Sequence, residues 1–280
     1  MLEINHLSKT YGTGDTATTA VADVTFTVEK GEFVCVVGPS GCGKTTLLKC
    51  MSGLLSPTSG EARLHGVRID SPPRQMALVF QDYSRSLFPW MTTRQNIVFP
   101  LKNKDVDRAT ARRLADEAAE SVGLGAFGDR YPWQLSGGMQ QRVAIARAMA
   151  YQPEILLMDE PFASVDAQTR VDLEDLTLRL RNDYGVTVVF VTHDIDESVY
   201  MADRVVMLTQ RPTRVGEILD VDLPRPRDQV ATKELPRFAE LRAHVYTAMK
   251  RPGAAELRPP VDPVAPASDT GLASEMNLQH

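Results

Sequence analysis

The eight residues Gly38-Pro39-Ser40-Gly41-Cys42-Gly43-Lys44-Thr45 are the stretch of this chain best suited to chemistry. Glycines at this spacing let backbone N–H groups turn inward and approach phosphate oxygens with no side chain in the way. Lys44 brings a cation suited to β- and γ-phosphates, and Thr45 a hydroxyl suited to magnesium. A continuous apolar run, Phe33 to Val37, enters the loop, and a helical pattern from Lys44 to Met51 leaves it. That strand–loop–helix context is what a phosphate loop requires, and the helix N-terminus adds a favourable dipole. The expected ligand is ATP with Mg2+, and hydrolysis of the ATP is expected with it.

Two further stretches carry chemistry. Ile155-Leu156-Leu157-Met158 ends in Asp159-Glu160, and carboxylates at the end of a buried strand are costly without a nearby cation. Asp159 is suited to hold magnesium through water, and Glu160 to polarise an attacking water; the lesser reading of the pair alone is a surface pair starting a turn at Pro161. Leu135-Ser136-Gly137-Gly138-Met139-Gln140-Gln141-Arg142 opens with a good N-cap, then two glycines that expose backbone N–H groups, then a helix. It reads as a second anion site far along the chain from the first, although an ordinary capped helix begins in the same way. A chain with half of each of two sites makes sense if two copies face each other.

These residues need a scaffold, and the apolar patterning describes one. Leu2, Ile4 and Leu7, then Val21, Val24, Phe26 and Val28, alternate as antiparallel strands with one buried face, with Gly12 and Gly14 turning between them. Phe33–Val37, Ile155–Met158, Val186–Val191 and Val205–Leu208 are short continuous runs, as in a parallel sheet buried on both faces. Helical patterns lie at 44–51, 140–150 and 171–181. The fold expected is α/β: a phosphate-loop NTPase core with a mostly parallel sheet, an N-terminal antiparallel β subdomain and an inserted helical subdomain at about 89–150. Ala111, Leu114, Ala115, Ala118, Ala119 and Val122 form the apolar stripe of that lobe, and Phe238, Leu241, Val245 and Met249 mark a short amphipathic helix near the end. After Pro252 the composition shifts to Pro, Ala and Ser, so the domain is expected to span 1–250 and 251–280 to be a disordered tail.

With the motifs in this order, the chain resembles the ATP-binding cassette (ABC) transporter ATPases over roughly residues 1 to 250. Leu135 to Arg142 looks like the family's signature motif. Tyr11 resembles the aromatic that stacks on adenine, and Gln81, in Val79-Phe80-Gln81, the glutamine that senses magnesium and contacts the membrane partner. Ala163-Ser164-Val165-Asp166 resembles the loop that crosses to the second subunit, with Val165 where family members more often carry Leu. His193, in Val191-Thr192-His193-Asp194, resembles the histidine that contacts the γ-phosphate. The resemblance implies catalytic roles for Glu160, His193, Lys44 and Gln81 and metal contacts from Thr45, Gln81 and Asp159. It implies nucleotide contacts from Tyr11, from Gly38, Pro39, Ser40, Gly41, Cys42, Gly43, Lys44, Thr45 and Thr46, and from Ser136, Gly137, Gly138, Gln140 and Asp166. Cys42, inside the loop, could be oxidised and so block nucleotide, but it is read rather as a passive filler.

Several features narrow the choice within the family. No long insertion separates Gln81 from Leu135, no second cassette follows, and no membrane span is fused. What remains is the separate ATPase subunit of an importer. The aromatic stretch from Gln81 to Trp90 lies where the family receives a short helix of the membrane subunit, although Phe88 and Trp90 could instead pack inside the helical lobe. That stretch, Leu223-Pro224-Arg225-Pro226-Arg227 and the helix after Phe238 look like the nitrate, sulfonate and taurine importer group. The resemblance implies a head-to-tail homodimer, an integral membrane permease and, indirectly, a periplasmic or lipid-anchored solute-binding protein. It implies a peripheral position on the cytoplasmic face of the inner membrane.

Composition sets the outer bounds. A formal net charge of -5 makes a broad nucleic-acid surface a poor fit, so no nucleic-acid partner is expected. That weighs against a soluble ABC-type ATPase with a regulatory or nucleic-acid-linked role. The start of the chain lacks a secretory pattern. The cysteines Cys35, Cys42 and Cys50 are odd in number and without metal spacing, which suits a reducing compartment.

Overall fold

The computed structural model describes residues 1–82 and 86–250. The expected tail at 251–280 and the aromatic Tyr83 lie outside the described residues.

The first sheet is antiparallel, as the alternation in the first thirty residues predicts. Strand β1 (Leu2–Tyr11) pairs with β2 (Thr18–Val28), and on its other edge with β4 (Ser59–Leu64), which carries the short β5 (Val67–Arg68). Its order is β2-β1-β4-β5. Gly12 and Gly14 turn the chain between β1 and β2 with φ of 76° and 56°, in the left-handed region where glycine pays no Cβ penalty.

The second sheet has the order β10-β9-β3-β8-β7-β6. It consists of β3 (Phe33–Val37), β6 (Met76–Val79), β7 (Ile155–Asp159), β8 (Thr187–Thr192), β9 (Arg204–Leu208) and β10 (Val215–Asp220). All its neighbours run parallel except β10, which closes one edge antiparallel to β9. Every residue of β3, β7 and β8 is buried. The pleat then sorts them by parity. Phe33, Cys35, Val37, Leu156, Met158, Val188 and Phe190 enter one core with the helices, while Val34, Val36, Ile155, Leu157, Val189 and Val191 enter the other. The second core is closed by the antiparallel sheet and by α1 (Lys44–Met51).

Between β6 and β7 the chain builds α2 (Thr93–Val98), α3 (Arg108–Ser121) and α4 (Gly137–Ala150), which pack on one another. Each begins on a side-chain cap: Thr92 with Gln95 in a capping box, Asp107 and Ser136. The stripe Ala111, Leu114, Ala115, Ala118, Ala119 and Val122 is buried. Helix α5 (Ala167–Tyr184) follows β7, and α6 (Ile195–Met201) follows β8. Helix α7 (Pro236–Lys250) buries Phe238, Leu241 and Val245 against α6 and β9. No described helix is long and apolar enough to cross a membrane.

Candidate active site

The loop from Gly38 to Thr45 leaves the buried end of β3 and feeds α1. Gly41 and Gly43 have φ of 73° and 119°. A Cβ on Gly43 would lie 3.1 Å from the Ala20 carbonyl oxygen, and one on Gly38 would lie 3.0 Å from both Cys42 Sγ and Leu208 Cβ. Packing as well as conformation therefore demands glycine here. Lys44 is 5% exposed, and its Nζ donates to the carbonyls of Gly38 at 2.9 Å and Pro39 at 3.2 Å. Its ammonium group is thus held inside the loop. Cys42 is buried in the second core.

Asp159 and Glu160 stand opposite the loop, at the end of β7. The Thr45 hydroxyl donates to Asp159 Oδ1 at 3.3 Å. Burial pushes the Asp159 carboxyl above its usual range, the Thr45 bond and Lys49 and Lys44 opposing that rise and Glu160 adding to it. Glu160 has φ of 43°, in the left-handed region, and its N–H donates to Val191 O of β8 at 2.8 Å. Such a conformation costs roughly 1–3 kcal/mol at a non-glycine residue, and it clusters at functional sites. Three side chains gather on the Glu160 carboxylate. Lys44 Nζ is 3.5 Å from Oε1, His193 Nδ1 is 3.0 Å from Oε2, and Gln81 Nε2 donates to Oε2 at 3.5 Å. Residues from four separate stretches of sequence thus meet at one point beside the phosphate loop.

Tyr11 ends β1 with 44% of its surface exposed; its hydroxyl lies 3.2 Å from Thr46 Oγ1, and Lys9 Nζ sits 5.6 Å from its ring. An open aromatic face beside a phosphate loop is suited to stack a base.

The Ser136 segment lies apart. Ser136 Oγ accepts from Met139 N–H at 3.3 Å, and Gln140 Nε2 donates to the carbonyls of Pro132 and Leu135 at 3.0 and 3.2 Å. Gln140 therefore shapes the turn from within. A Cβ on Gly138 would lie only 2.4 Å from Thr169 Cγ2 in the first turn of α5. Asp166 caps that same turn, accepting from Thr169 N–H at 2.9 Å and Thr169 Oγ1 at 2.7 Å, bonds that hold its carboxyl below its usual range. Among the described residues, no hydrogen bond or ion pair joins residues 136–140 to residues 38–46. One chain therefore carries two donor-bearing segments, each held by its own local bonds.

The aromatics after Gln81 divide between the two expected placements. Phe88 packs with its ring centroid 4.6 Å from Phe99, whereas Trp90 is 70% exposed. Phe88 and Phe99 help line a groove of about 320 Å³ that also involves Met76, Leu78, Arg147 and Tyr151.

Sequence reasoning missed the residues that brace the site from behind. Thr213, fully buried between β9 and β10, donates to the Cys42 carbonyl and ties the phosphate loop to β2 through Ala20 and Ala22. Arg170 and Glu197 sit behind His193. None belongs to a recognisable run; each would show only as a polar residue at a position where the helix or strand pattern turns inward.

Residues 21–163 match the family model for the ABC transporter. The chain belongs to the ABC transporter family. Over 253 residues the cassette is 43% identical to the nitrate import ATP-binding protein NrtD of Synechococcus elongatus, covering 89% of this chain and 92% of that protein. The bicarbonate transport ATP-binding protein CmpD of the same organism is 42% identical, with 86% of this chain and 87% of that one covered. The aliphatic sulfonates import ATP-binding protein SsuB of Bacillus licheniformis is 45% identical, with 87% and 92% covered. Among solved structures, the ATP-binding cassette MJ0796, a dimer in a post-hydrolysis state with ADP and Pi, superposes with a TM-score of 0.70 at 32% identity. That match covers 79% of this chain and 99% of MJ0796. The ABC cassette described here is an ATP-binding ATPase with the fold of these relatives.

Proposed function

We propose that this cassette is the ATPase subunit of an importer of a small inorganic or sulfonate-type anion, working as a head-to-tail pair beneath a separate permease. The carrying observation is that, among the described residues, the phosphate loop and the Ser136–Gly138 helix start share no hydrogen bond or ion pair within one chain. In the pair, Ser136, Gly137 and Gly138 of one copy face the ATP held by Gly38–Thr46 of the other, with Asp166 at the seam. The reading draws support from MJ0796 as a dimer and from the names of the nitrate, bicarbonate and sulfonate relatives. The cassette occupies residues 1–250 with its helical lobe at about 89–150. It sits peripherally on the cytoplasmic face of the membrane, its 320 Å³ groove taking the permease helix. A solute-binding protein delivers the cargo from the other side.

The chemistry follows from the residues around Glu160. Lys44 neutralises the β- and γ-phosphates, Tyr11 stacks on the adenine, and Glu160 orients and polarises the attacking water. His193 holds Glu160 and the γ-phosphate in register. Placement and charge supply most of the catalysis, because phosphoryl transfer needs little covalent help. Thr45 and the largely buried Asp159 offer adjacent hard oxygens that would hold Mg2+, with Gln81 near the site. When bound, the ion neutralises charge developing on the phosphates.

Glu160→Gln tests the assignment. It keeps the shape but loses the base, so turnover is expected to fall by roughly 10²–10⁴-fold while ATP binding persists. The ATP-bound variant should elute as a stable dimer. Full activity in this variant would remove Glu160 from its role.

A further inference from the structure

A second knot of charge sits behind His193. A cavity of about 40 Å³ is bounded by Glu160, Ala163, Arg170, Thr192, His193 and Glu197. Arg170 lies in the first turn of α5, its N–H donating to the Asp166 carbonyl at 2.9 Å. Its Nη1 donates to Asp194 Oδ2 at 3.2 Å, and its Nε is 3.6 Å from Glu197 Oε1. Glu197 is 5% exposed, and its other oxygen accepts from the Thr192 hydroxyl at 2.5 Å. That hydroxyl also accepts the Asp194 N–H at 2.9 Å. Asp194 is therefore hydrogen-bonded to the guanidinium, while Glu197, bonded to Thr192, meets it only as an ion pair at Nε, which has no hydrogen-bond partner of its own among the described residues. The fork of an arginine is suited to fix two carboxylates at once. The same turn of α5 carries Thr169, against which Gly138 packs.

We propose that Arg170 is a positioning residue for ATP hydrolysis: through its hydrogen bond to Asp194 and its ion pair with Glu197 it fixes His193 against Glu160, and it links that pair to the Asp166 turn. The proposal rests on the reading of Glu160 and His193 as the hydrolytic pair. A shift of the Asp166–Arg170 turn, such as a second copy would impose at the seam, then moves His193 relative to Glu160.

The test compares wild type with R170Q, R170K, R170Q/E197Q and H193A in the full chain, measuring ATP turnover, calorimetric ATP affinity and Tm. R170Q is expected to lower kcat by roughly 10- to 100-fold, the scale of a misplaced catalytic group. ATP affinity stays within about twofold, because no lost contact touches the nucleotide. R170K recovers part of the loss. R170Q/E197Q removes the buried carboxylate left unpaired, so its Tm returns towards wild type while kcat stays low. A kcat within about twofold of wild type in R170Q, or kcat returning together with Tm in the double variant, overturns the proposal and leaves Arg170 as charge balance. Full activity of H193A overturns the reading of His193 beneath it, a result distinguishable from active R170Q with inactive H193A.

Discussion

Glu197 shows how burial and function meet at a single side chain. Burial pushes its carboxyl from an ordinary 4.5 up to about 7, with Asp194 and Glu174 adding to the rise and the Thr192 hydroxyl and Arg170 opposing it. A folded-state value above the unfolded one means that the folded protein holds the extra proton between these two values. The resulting stabilisation is fully present below about pH 4.5 and is lost as the pH rises through 7. Denaturant unfolding of wild type and Glu197→Gln across this window should show a decline in wild type, of roughly 1–3 kcal/mol, that the variant lacks. Parallel pH profiles for the two proteins would contradict the burial argument. At the same scale, the phosphate loop, Asp159-Glu160 and Ser136–Gly138 stood out in the sequence as local runs with their own chemistry, and His193 through the resemblance to the family. Arg170, Glu197 and Thr213 were not, because their partners are distant in the chain and only folding brings them together.

The elements that hold these residues were legible where patterning is strong. Strand β3 and helix α1 have the bounds expected from the apolar run and the helical spacing; β7 and β9 differ from expectation by a residue at one end and β8 by a residue at each end. Helix α5 extends further on both sides than the 171–181 pattern, since Asp166 caps it at one end and Gly185, with φ of 61°, stops it at the other. Strands β4, β6 and β10 went unread. Their exposed or half-buried residues leave neither a clean alternation nor a continuous apolar run. Helix α6 was hidden behind Asp196 and Glu197, although Asp194 caps it. Helix–helix contact also generates a prediction. Gly138→Ala drives a methyl into Thr169 Cγ2, now 2.4 Å from that position, and overpacking of this kind costs roughly 1–3 kcal/mol. Thr169→Ser deletes the obstructing methyl while keeping the hydroxyl bonded to Asp166. Thermal unfolding should therefore show a lower Tm for G138A and recovery in G138A/T169S. No recovery would place the strain elsewhere.

For the whole molecule, the phosphate loop and the Ser136 helix start are two donor-bearing segments that share no hydrogen bond among the described residues. The parallel sheet presents Lys44, Asp159, Glu160 and His193 at the C-terminal ends of β3, β7 and β8, where ligands bind in open α/β sheets. Helix α4 offers Ser136 and Gly138 from the helical lobe, packed on α5 and remote from that edge in hydrogen bonding. In the proposed pair, each copy would complete the site of the other. Mixing two inactive variants tests that claim most directly. Lys44→Ala disables the phosphate loop and Ser136→Arg blocks the helix start. Each variant alone should turn over ATP at a small fraction of the wild-type rate. An equimolar mixture forms hybrid pairs that contain one intact site, made of Lys44 from one chain and Ser136 from the other, so ATPase activity should rise above that of either variant. Wild-type turnover by S136R alone, or a mixture no more active than its components, would contradict the shared site.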